Sequence, residues 1–110
     1  MTPGAVSPEQ LDTMLEDACV LLDRTAVTRL FDAAAVLQFA DERRRGRGPE
    51  NIADLVLHAA DDGEIYRALP PVVLQTGRLA LIMAGPNTHI VRRDAVGWRY
   101  LISFIDIACR

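Results

Sequence analysis

The first third of the chain repeats apolar residues at the spacing of an α-helix. Ser7 and Pro8 are residue types that begin helices, and Gln10 stands at the capping-box position. After them, apolar residues recur three or four positions apart, at Leu11, Met14, Leu15, Ala18, Cys19 and Leu22. Acidic residues occupy the other side, at Asp12, Glu16 and Asp17. This pattern predicts an amphipathic helix whose apolar side faces a core.

Two further helices are predicted. Asp23 can cap a short helix over residues 24–31, and Pro49 begins a third helix that ends at Gly63. Between them, residues 33–40 form a short apolar segment bounded by charge, which predicts a strand. The arginine-rich segment at residues 43–47 is interpreted as a solvated hairpin tip rather than a phosphate or nucleic-acid site, because no basic surface extends it.

The second half of the chain is a series of apolar segments separated by turn residues. Residues 72–75 and 79–83 meet at Thr76-Gly77, which predicts a tight hairpin. A strand at residues 88–94 leads through Asp94-Ala95-Val96-Gly97 to a last strand at residues 98–107. Helices in the first half and consecutive strands in the second predict an α+β domain with helices on one face of a curved antiparallel sheet.

The last strand is apolar on both faces. Strict alternation places Trp98, Tyr100, Ile102 and Phe104 on one face, and Leu101, Ile105 and Ile107 on the other. A sheet with one wet face would instead alternate apolar and polar residues, so both faces require cover. The helices cover one face. We expect a second copy of the chain to cover the other, which predicts a homodimer.

Length and charge limit the possible functions. With 110 residues the chain has room for one domain, residues 1–110, of which residues 1–6 are expected to be disordered. The net charge of -3 argues against nucleic-acid and membrane partners. The absence of Lys excludes Schiff-base chemistry on a lysine. Cys19 and Cys109 form no CxxC or Cys/His cluster, so no metal site is expected. The N-terminus lacks signal-peptide features, which predicts a cytoplasmic protein.

Three segments carry the motifs of one family. Residues 30–57 contain a strand, a loop with glycine and a helix. Residues 73–83 (VLQTGRLALIM) contain a hairpin, with Arg78 at a position where Asp is common in the family. Residues 91–103 (VRRDAVGWRYLIS) contain a basic strand that leads into Gly-Trp-Arg. Together they resemble the nuclear transport factor 2-like superfamily, which includes ketosteroid isomerase and the SnoaL-like cyclases. The resemblance implies a cone-shaped α+β fold, with three N-terminal helices packed on a curved antiparallel sheet around an internal cavity.

The resemblance supplies no catalytic residue. Ser103 stands where many relatives have an acid, and the Asp and His residues that relatives place in the cone are mostly absent. Asp106 is the acid of most interest because it lies within the apolar last segment, although pairing with an arginine at a strand end is the simpler interpretation. His58 is interpreted as a surface residue, and His89 can point to either face of its strand.

The cavity is expected to be mostly apolar, with few polar groups. Its expected ligand-binding residues are Met14, Phe31, Leu55, Tyr66, Met83, Ser103 and Asp106. Plain core packing also explains the apolar members, since the same residues are needed for folding.

Two function hypotheses follow. In the first, the cone of a homodimer binds a hydrophobic small molecule without catalysis. In the second, the chain is a cofactor-independent isomerase, cyclase or hydratase acting on a polyketide- or steroid-like substrate, through Asp106, Tyr66 or a histidine. A buried carboxylate or histidine that touches a tyrosine inside the cone would favour the second hypothesis.

Overall fold

Three α-helices, a six-stranded sheet and a two-stranded sheet make up the fold. This computed structural model describes residues 4–41 and 43–109. A 3-10 turn at Pro8–Gln10 precedes the helices, which are α1 (Leu11–Val20), α2 (Arg24–Arg29) and α3 (Pro49–Asp61). The strands are β1 (Phe31–Phe39), β2 (Arg45–Arg47), β3 (Glu64–Ile65), β4 (Val72–Thr76), β5 (Leu79–Ala84), β6 (Asn87–Arg93), β7 (Trp98–Ile105) and β8 (Ala108–Cys109).

The N-terminal segment contacts β7 at Ala5. Residues 1–3 lie outside the described residues. Ala5 is buried, and its carbonyl accepts a hydrogen bond from the Trp98 N–H at 3.0 Å. The N-terminal segment is therefore fixed to β7 from this residue onward.

Helix ends follow local signals in the sequence. The Asp23 side chain accepts from the Ala26 N–H at 3.1 Å and caps α2. Gly48, with φ of 82°, allows the turn into α3, which begins at Pro49 as predicted. Ser7 makes no side-chain cap hydrogen bond. The helices do not form one N-terminal group, because β1 and β2 separate α2 from α3, and α3 is the longest at 13 residues.

The main sheet is mixed, so the prediction of an antiparallel sheet is wrong for one pair. The strand order is β2-β1-β7-β6-β5-β4, and neighbours from β7 to β4 run antiparallel, as do β2 and β1. β1 pairs with β7 in parallel, with Leu37 opposite Ser103. A hairpin would force opposite directions, but the connection from β1 to β7 contains a helix and five strands, which leaves the direction free.

A β-bulge in β7 overturns the predicted faces of the last strand. Val91 is paired with Tyr100, but Ile90 is paired with Ile102, so Leu101 is an extra residue. One extra residue moves every later side chain to the opposite face. Beyond the bulge, the inward residues are Ser103 and Ile105, and the outward residues are Ile102 and Phe104, which are 47% and 42% exposed.

The core lies between the helices and the inner face of the sheet. Its fully buried side chains come from all three helices and from β1, β5, β6 and β7, and include Leu11, Leu15, Val27, Phe31, Ile52, Val56, Ile82, Val91 and Ile105. Gly46 of β2 lies under α3, where an added Cβ would meet Leu55 Cδ1 at 2.7 Å. No helix within the described residues is both long enough and apolar enough to span a membrane.

Candidate functional site

Five polar side chains meet in the core between the helices and the sheet, and form what we call the buried cluster. Asp12 comes from α1, Tyr66 from the segment after β3, His89 from β6, and Tyr100 and Ser103 from β7. Each of these residues is at most 4% exposed. Because buried polar groups cost free energy unless they find partners, their convergence is a structural feature that requires an account.

Asp12 is the centre of the buried cluster. Its Oδ1 accepts hydrogen bonds from two phenols, the Tyr66 hydroxyl at 2.9 Å and the Tyr100 hydroxyl at short range. Its Oδ2 is buried and has no hydrogen-bond partner among the described residues. Asp12 faces inward because it shares a helix face with Leu15 and Cys19, three and seven residues later. The carboxylate is thus held through one oxygen, while the other is buried without a described partner.

His89 continues the chain of hydrogen bonds. Its Nε2 lies 3.1 Å from the Tyr66 oxygen and 3.5 Å from Asp12 Oδ1, and its Nδ1 lies 2.8 Å from Ser103 Oγ. Tyr66 has one proton and donates it to Asp12, so it can only accept from His89. The consistent arrangement of protons therefore has Ser103 donating to Nδ1 and the Nε2–H donating to Tyr66.

Burial fixes the protonation of these groups. It lowers the pKa of His89 to about 4, against the opposing effect of the nearby Asp12 charge, so the imidazole is neutral at pH 7. Burial also raises the pKa of Tyr66 and of Tyr100 well above the ordinary value of 10.0, and the Asp12 charge adds to both shifts. Both phenols therefore keep their protons and act as donors.

Ring packing holds the inner strand residues in place. The Tyr100 ring lies between Phe31, at a centroid distance of 5.0 Å, and His89, at 4.5 Å. Ser103 is directly paired with His89 across β6 and β7, but only because the extra residue Leu101 turns it inward. The bulge therefore supplies one of the five members of the cluster.

Tyr66 is positioned by the segment on either side of it. Before it, Glu64 forms a bidentate ion pair with Arg44, with oxygen–nitrogen distances of 2.6 Å and 2.9 Å. After it, the Ala68 N–H donates to Glu16 Oε1 of α1 at 2.9 Å. These contacts fix the backbone of an otherwise irregular segment, so the phenol enters the cone in one orientation.

One surface hollow bordered by the described residues, about 390 Å³, lies on the outer side of β4, β5 and β6 beside Leu74, Leu79 and Ile90, and touches no member of the buried cluster. Another is a smaller cleft of about 230 Å³ between the C-terminal ends of α1 and α3. Tyr66 lines this cleft, so the cleft adjoins the buried cluster.

The structure brings together some of the residues that the sequence singled out. Tyr66 and Ser103 belong to the buried cluster, and Phe31 packs behind Tyr100. Met14 and Leu55 are half-buried at the core edge, while Met83 and Asp106 are exposed. The backbone N–H of Asp106 donates to Asn87 Oδ1 at 2.8 Å.

Sequence reasoning missed Asp12 and left His89 undecided. Asp12 was assigned to the polar side of α1, although its spacing from Leu15 and Cys19 matches that of the buried face. For His89, the alternation Asn87, His89, Val91 within β6 places it inward. Both signals were present, but a charged residue is normally expected outside.

The described residues offer neither a cluster of metal ligands nor a reactive thiol. No group of three or more His, Cys, Asp or Glu side chains there could hold a metal ion. Cys19 is a free, buried thiol whose pKa is raised to about 12, chiefly by burial, which keeps it protonated and unreactive.

Comparison with known proteins gives a likeness in structure only. No protein-family model and no curated sequence matches the chain. A nuclear transport factor 2-like protein with a cystatin-like fold from Novosphingobium aromaticivorans superposes with a TM-score of 0.73 at 16% identity, covering 90% of this chain and 78% of that one. A candidate calcium/calmodulin-dependent protein kinase type II association domain from Thiobacillus denitrificans gives 0.72 at 13%, with coverages of 97% and 99%.

A third solved structure is named a candidate ketosteroid isomerase, from Parabacteroides distasonis. It superposes with a TM-score of 0.61 at 14% identity, covering 92% of this chain and 87% of that one. At such identities the likeness concerns the backbone and not the site. With the motifs at residues 30–57, 73–83 and 91–103, it establishes that the chain has the nuclear transport factor 2-like fold.

Proposed function

We propose that the chain is a cofactor-independent acid–base catalyst of the isomerase, cyclase or hydratase type, acting on a hydrophobic small molecule. The observation that carries the proposal is the buried Asp12 carboxylate, with Oδ1 held by two phenols and Oδ2 unpartnered. A buried carboxylate touching a tyrosine is the feature that separates this hypothesis from binding alone. The candidate ketosteroid isomerase of the same fold is a further, weaker support.

The arrangement can move a proton without a redox step. Asp12 Oδ2 would take a proton from a carbon next to a carbonyl group, and the electrons of that C–H bond would form an enolate. Once Asp12 has taken the substrate proton, the Tyr66 hydroxyl could turn from Asp12 Oδ1 to the enolate oxygen, while the neutral His89 continues to donate its Nε2–H to the Tyr66 oxygen. Return of the proton from Asp12 to another carbon would complete an isomerisation.

Enolate formation can be measured before any natural substrate is known. We would follow exchange of the α-protons of 2-tetralone, a bicyclic ketone, in D2O by proton NMR. General acid–base catalysis typically contributes about 10²–10⁴-fold, so Asp12→Asn should lose at least about 100-fold of the exchange rate. Asp17→Asn is the matched control, because Asp17 is an exposed acid on the same helix. Exchange at the buffer rate with the unmodified protein would contradict the proposal.

Binding without catalysis is the second candidate, and near-complete burial of the cluster favours it. Apart from Asp12 Oδ2, the polar atoms of the cluster are satisfied by one another, as in a structural network. This candidate predicts that a hydrophobic ligand binds and that 2-tetralone exchange is not accelerated. The exchange measurement therefore separates the two candidates.

We also propose that the chain forms a homodimer through the outer face of the sheet. This face exposes a continuous set of uncharged apolar side chains: Val72, Leu74, Leu79, Met83, Ile102 and Phe104. Exposed apolar surface of this kind is typical of a protein–protein contact. For its compartment we retain the cytoplasm, a proposal that the free thiol of Cys19 supports.

A further inference from the structure

The cleft beside Tyr66 is lined mainly by apolar side chains. It lies where the C-terminal end of α1, the C-terminal end of α3 and the segment after α3 meet. Its apolar lining consists of Cys19, Val20, Leu22, Ala60, Ile65 and Tyr66. Such a concave apolar surface with one phenol in its wall has the composition of a small-molecule site.

The rim of the cleft is more apolar and more strained than folding requires. Val20, Leu21 and Leu22 are consecutive and are 74%, 74% and 48% exposed. Leu22 has a φ of 50°, and no other described residue besides glycine has a positive φ. The Leu22 N–H donates to the Cys19 carbonyl and the Asp23 N–H to that of Ala18, a helix ending in which glycine normally occupies the left-handed position. Strained residues of this kind concentrate at binding sites.

The Tyr66 side chain connects the cleft with the buried cluster. It lines the cleft, and its hydroxyl donates to Asp12. Cys19, in the cleft wall, lies on the same face of α1 as Asp12 and about 10 Å further along the helix, at 1.5 Å per residue. The side chain of Tyr66 is therefore the direct link between the cleft and the Asp12 carboxylate.

The size of the cleft limits the ligand. At about 230 Å³ it exceeds the roughly 150 Å³ of an apolar cavity that holds benzene. It is smaller than the roughly 300–1,000 Å³ of pockets for drug-sized ligands. One or two rings fit this space, and the fused four rings of a steroid do not.

Charge limits the ligand further. Asp61 is an exposed acid in the cleft lining, and Asp12 lies behind Tyr66. Glu64, which also lines the cleft, is engaged by Arg44, and none of the residues described as lining the cleft is basic. A carboxylate or phosphate would meet like charge, which disfavours anionic ligands.

We propose that this cleft binds a neutral molecule of one or two rings and presents its hydroxyl or carbonyl oxygen toward Tyr66 and Asp12. The inference rests on the proposed function, because it names the substrate class of the same cluster. Because the cleft is too small for a steroid, the inference narrows the substrate class to molecules of one or two rings.

The test uses 2-naphthol as the probe and 2-naphthoate as its anionic counterpart, with binding followed by fluorescence titration. We expect 2-naphthol to bind at least 10-fold more tightly than 2-naphthoate. Ala60→Trp, which fills the cleft, should weaken 2-naphthol binding at least 10-fold. Leu74→Glu is the control, because it disrupts the larger hollow on the outer face and should leave binding unchanged.

Leu22→Gly is a second variant that does not threaten the fold. Glycine suits the left-handed position, so the melting temperature should stay level or rise, whereas 2-naphthol binding should weaken several-fold through loss of the cleft wall. Unchanged affinity in both Ala60→Trp and Leu22→Gly, or loss of affinity in Leu74→Glu, would overturn the inference. If binding follows the expected pattern but 2-tetralone exchange stays at the buffer rate, the site stands and the proposed chemistry fails. If exchange is fast and survives Ala60→Trp, the chemistry stands and the site fails.

Discussion

Ser103 lies directly opposite His89 in the pairing of β6 with β7, and its hydroxyl lies 2.8 Å from His89 Nδ1. The contact is the last in a chain of hydrogen bonds whose direction is set at Asp12, which as a carboxylate can only accept. Tyr66 donates to Asp12 and therefore accepts from the Nε2–H of His89, which leaves Nδ1 as the acceptor for Ser103. One carboxylate thereby orients every donor as far as Ser103.

Ser103→Ala should therefore disturb His89 before it disturbs the fold. Loss of the donor leaves a buried acceptor unpaired, which costs about 1–3 kcal/mol in the free energy of unfolding. Nitrogen NMR of the imidazole should still show the Nε2–H tautomer, because Tyr66 can only accept, but the Nδ1 resonance should shift because that nitrogen has lost its donor. Thr88→Ala is the control, because Thr88 is the exposed neighbour on β6. An unchanged Nδ1 resonance in Ser103→Ala would contradict donation by Ser103, and a change to the Nδ1–H tautomer would contradict the direction assigned to the chain of hydrogen bonds.

The burial of His89 predicts a loss of stability in mild acid. The pKa of His89 is about 4 in the folded protein against 6.5 for an ordinary histidine. Between these values the unfolded chain binds a proton that the folded chain does not, so stability is complete above pH 6.5 and falls as the pH is lowered toward 4. From pH 7 to pH 4.5 the loss should be on the order of 2–3 kcal/mol.

Denaturant unfolding at several pH values measures this loss. His89→Gln should lower stability at pH 7 but flatten its dependence on pH between 6.5 and 4.5. The lowered pKa values of Asp32 and Glu64 act below the ordinary values of 3.8 and 4.5, so the carboxylates contribute mainly outside this window. An equally steep dependence in His89→Gln would assign the effect to other groups.

Tyr100→Phe should separate stability from catalysis. The change removes one of two donors to Asp12 Oδ1 and keeps the ring against Phe31 and His89. A hydrogen bond to a charged group contributes about 1.5–3 kcal/mol, so unfolding should become easier by that amount. Because Tyr66 remains as donor, 2-tetralone exchange should fall less in Tyr100→Phe than in Tyr66→Phe. Equal rates in the two variants would remove the special role given to Tyr66.

Phe104→Glu should yield a monomer if the outer face forms the dimer contact. A charge placed among the exposed apolar residues of β4, β5 and β7 cannot be buried against a second copy without a large cost. Sedimentation velocity at micromolar concentration distinguishes the two states. Val96→Glu serves as control, because Val96 is 54% exposed in the turn before β7 and lies off this face. A dimer that persists in Phe104→Glu would place the contact elsewhere.

Local signals in the sequence were sufficient for several elements and turns, although not for the short strands β2, β3 and β8. Asp23, Pro49 and the Thr76-Gly77 hairpin act within a few residues, and α2, α3 and the β4–β5 pair lie where they indicated. The parallel pairing of β1 with β7 was out of reach, because no local pattern records which strands meet across 60 residues. Long-range pairing is decided by packing of the whole core.

The candidate site was harder to predict for two separate physical reasons. Asp12 was excluded by its charge, since an ionised side chain is rarely placed in a core, and only its partners Tyr66 and Tyr100 make its burial acceptable. Ser103 was noted as the place of a missing acid, and its contact with His89 depends on a bulge that alternation alone cannot reveal.

The extra residue Leu101 determines which face of the sheet each later side chain of β7 points to. If Leu101 were paired in regular alternation, Ile102 would lie opposite His89, and Ser103 would lie opposite Thr88 and point outward. Interior and exterior of this strand are therefore not independently adjustable: pairing Leu101 with Ile90 would exchange them in a single step. The buried Ser103 hydroxyl and the exposed apolar side chains of Ile102 and Phe104 therefore have one geometric origin, the bulge at Leu101.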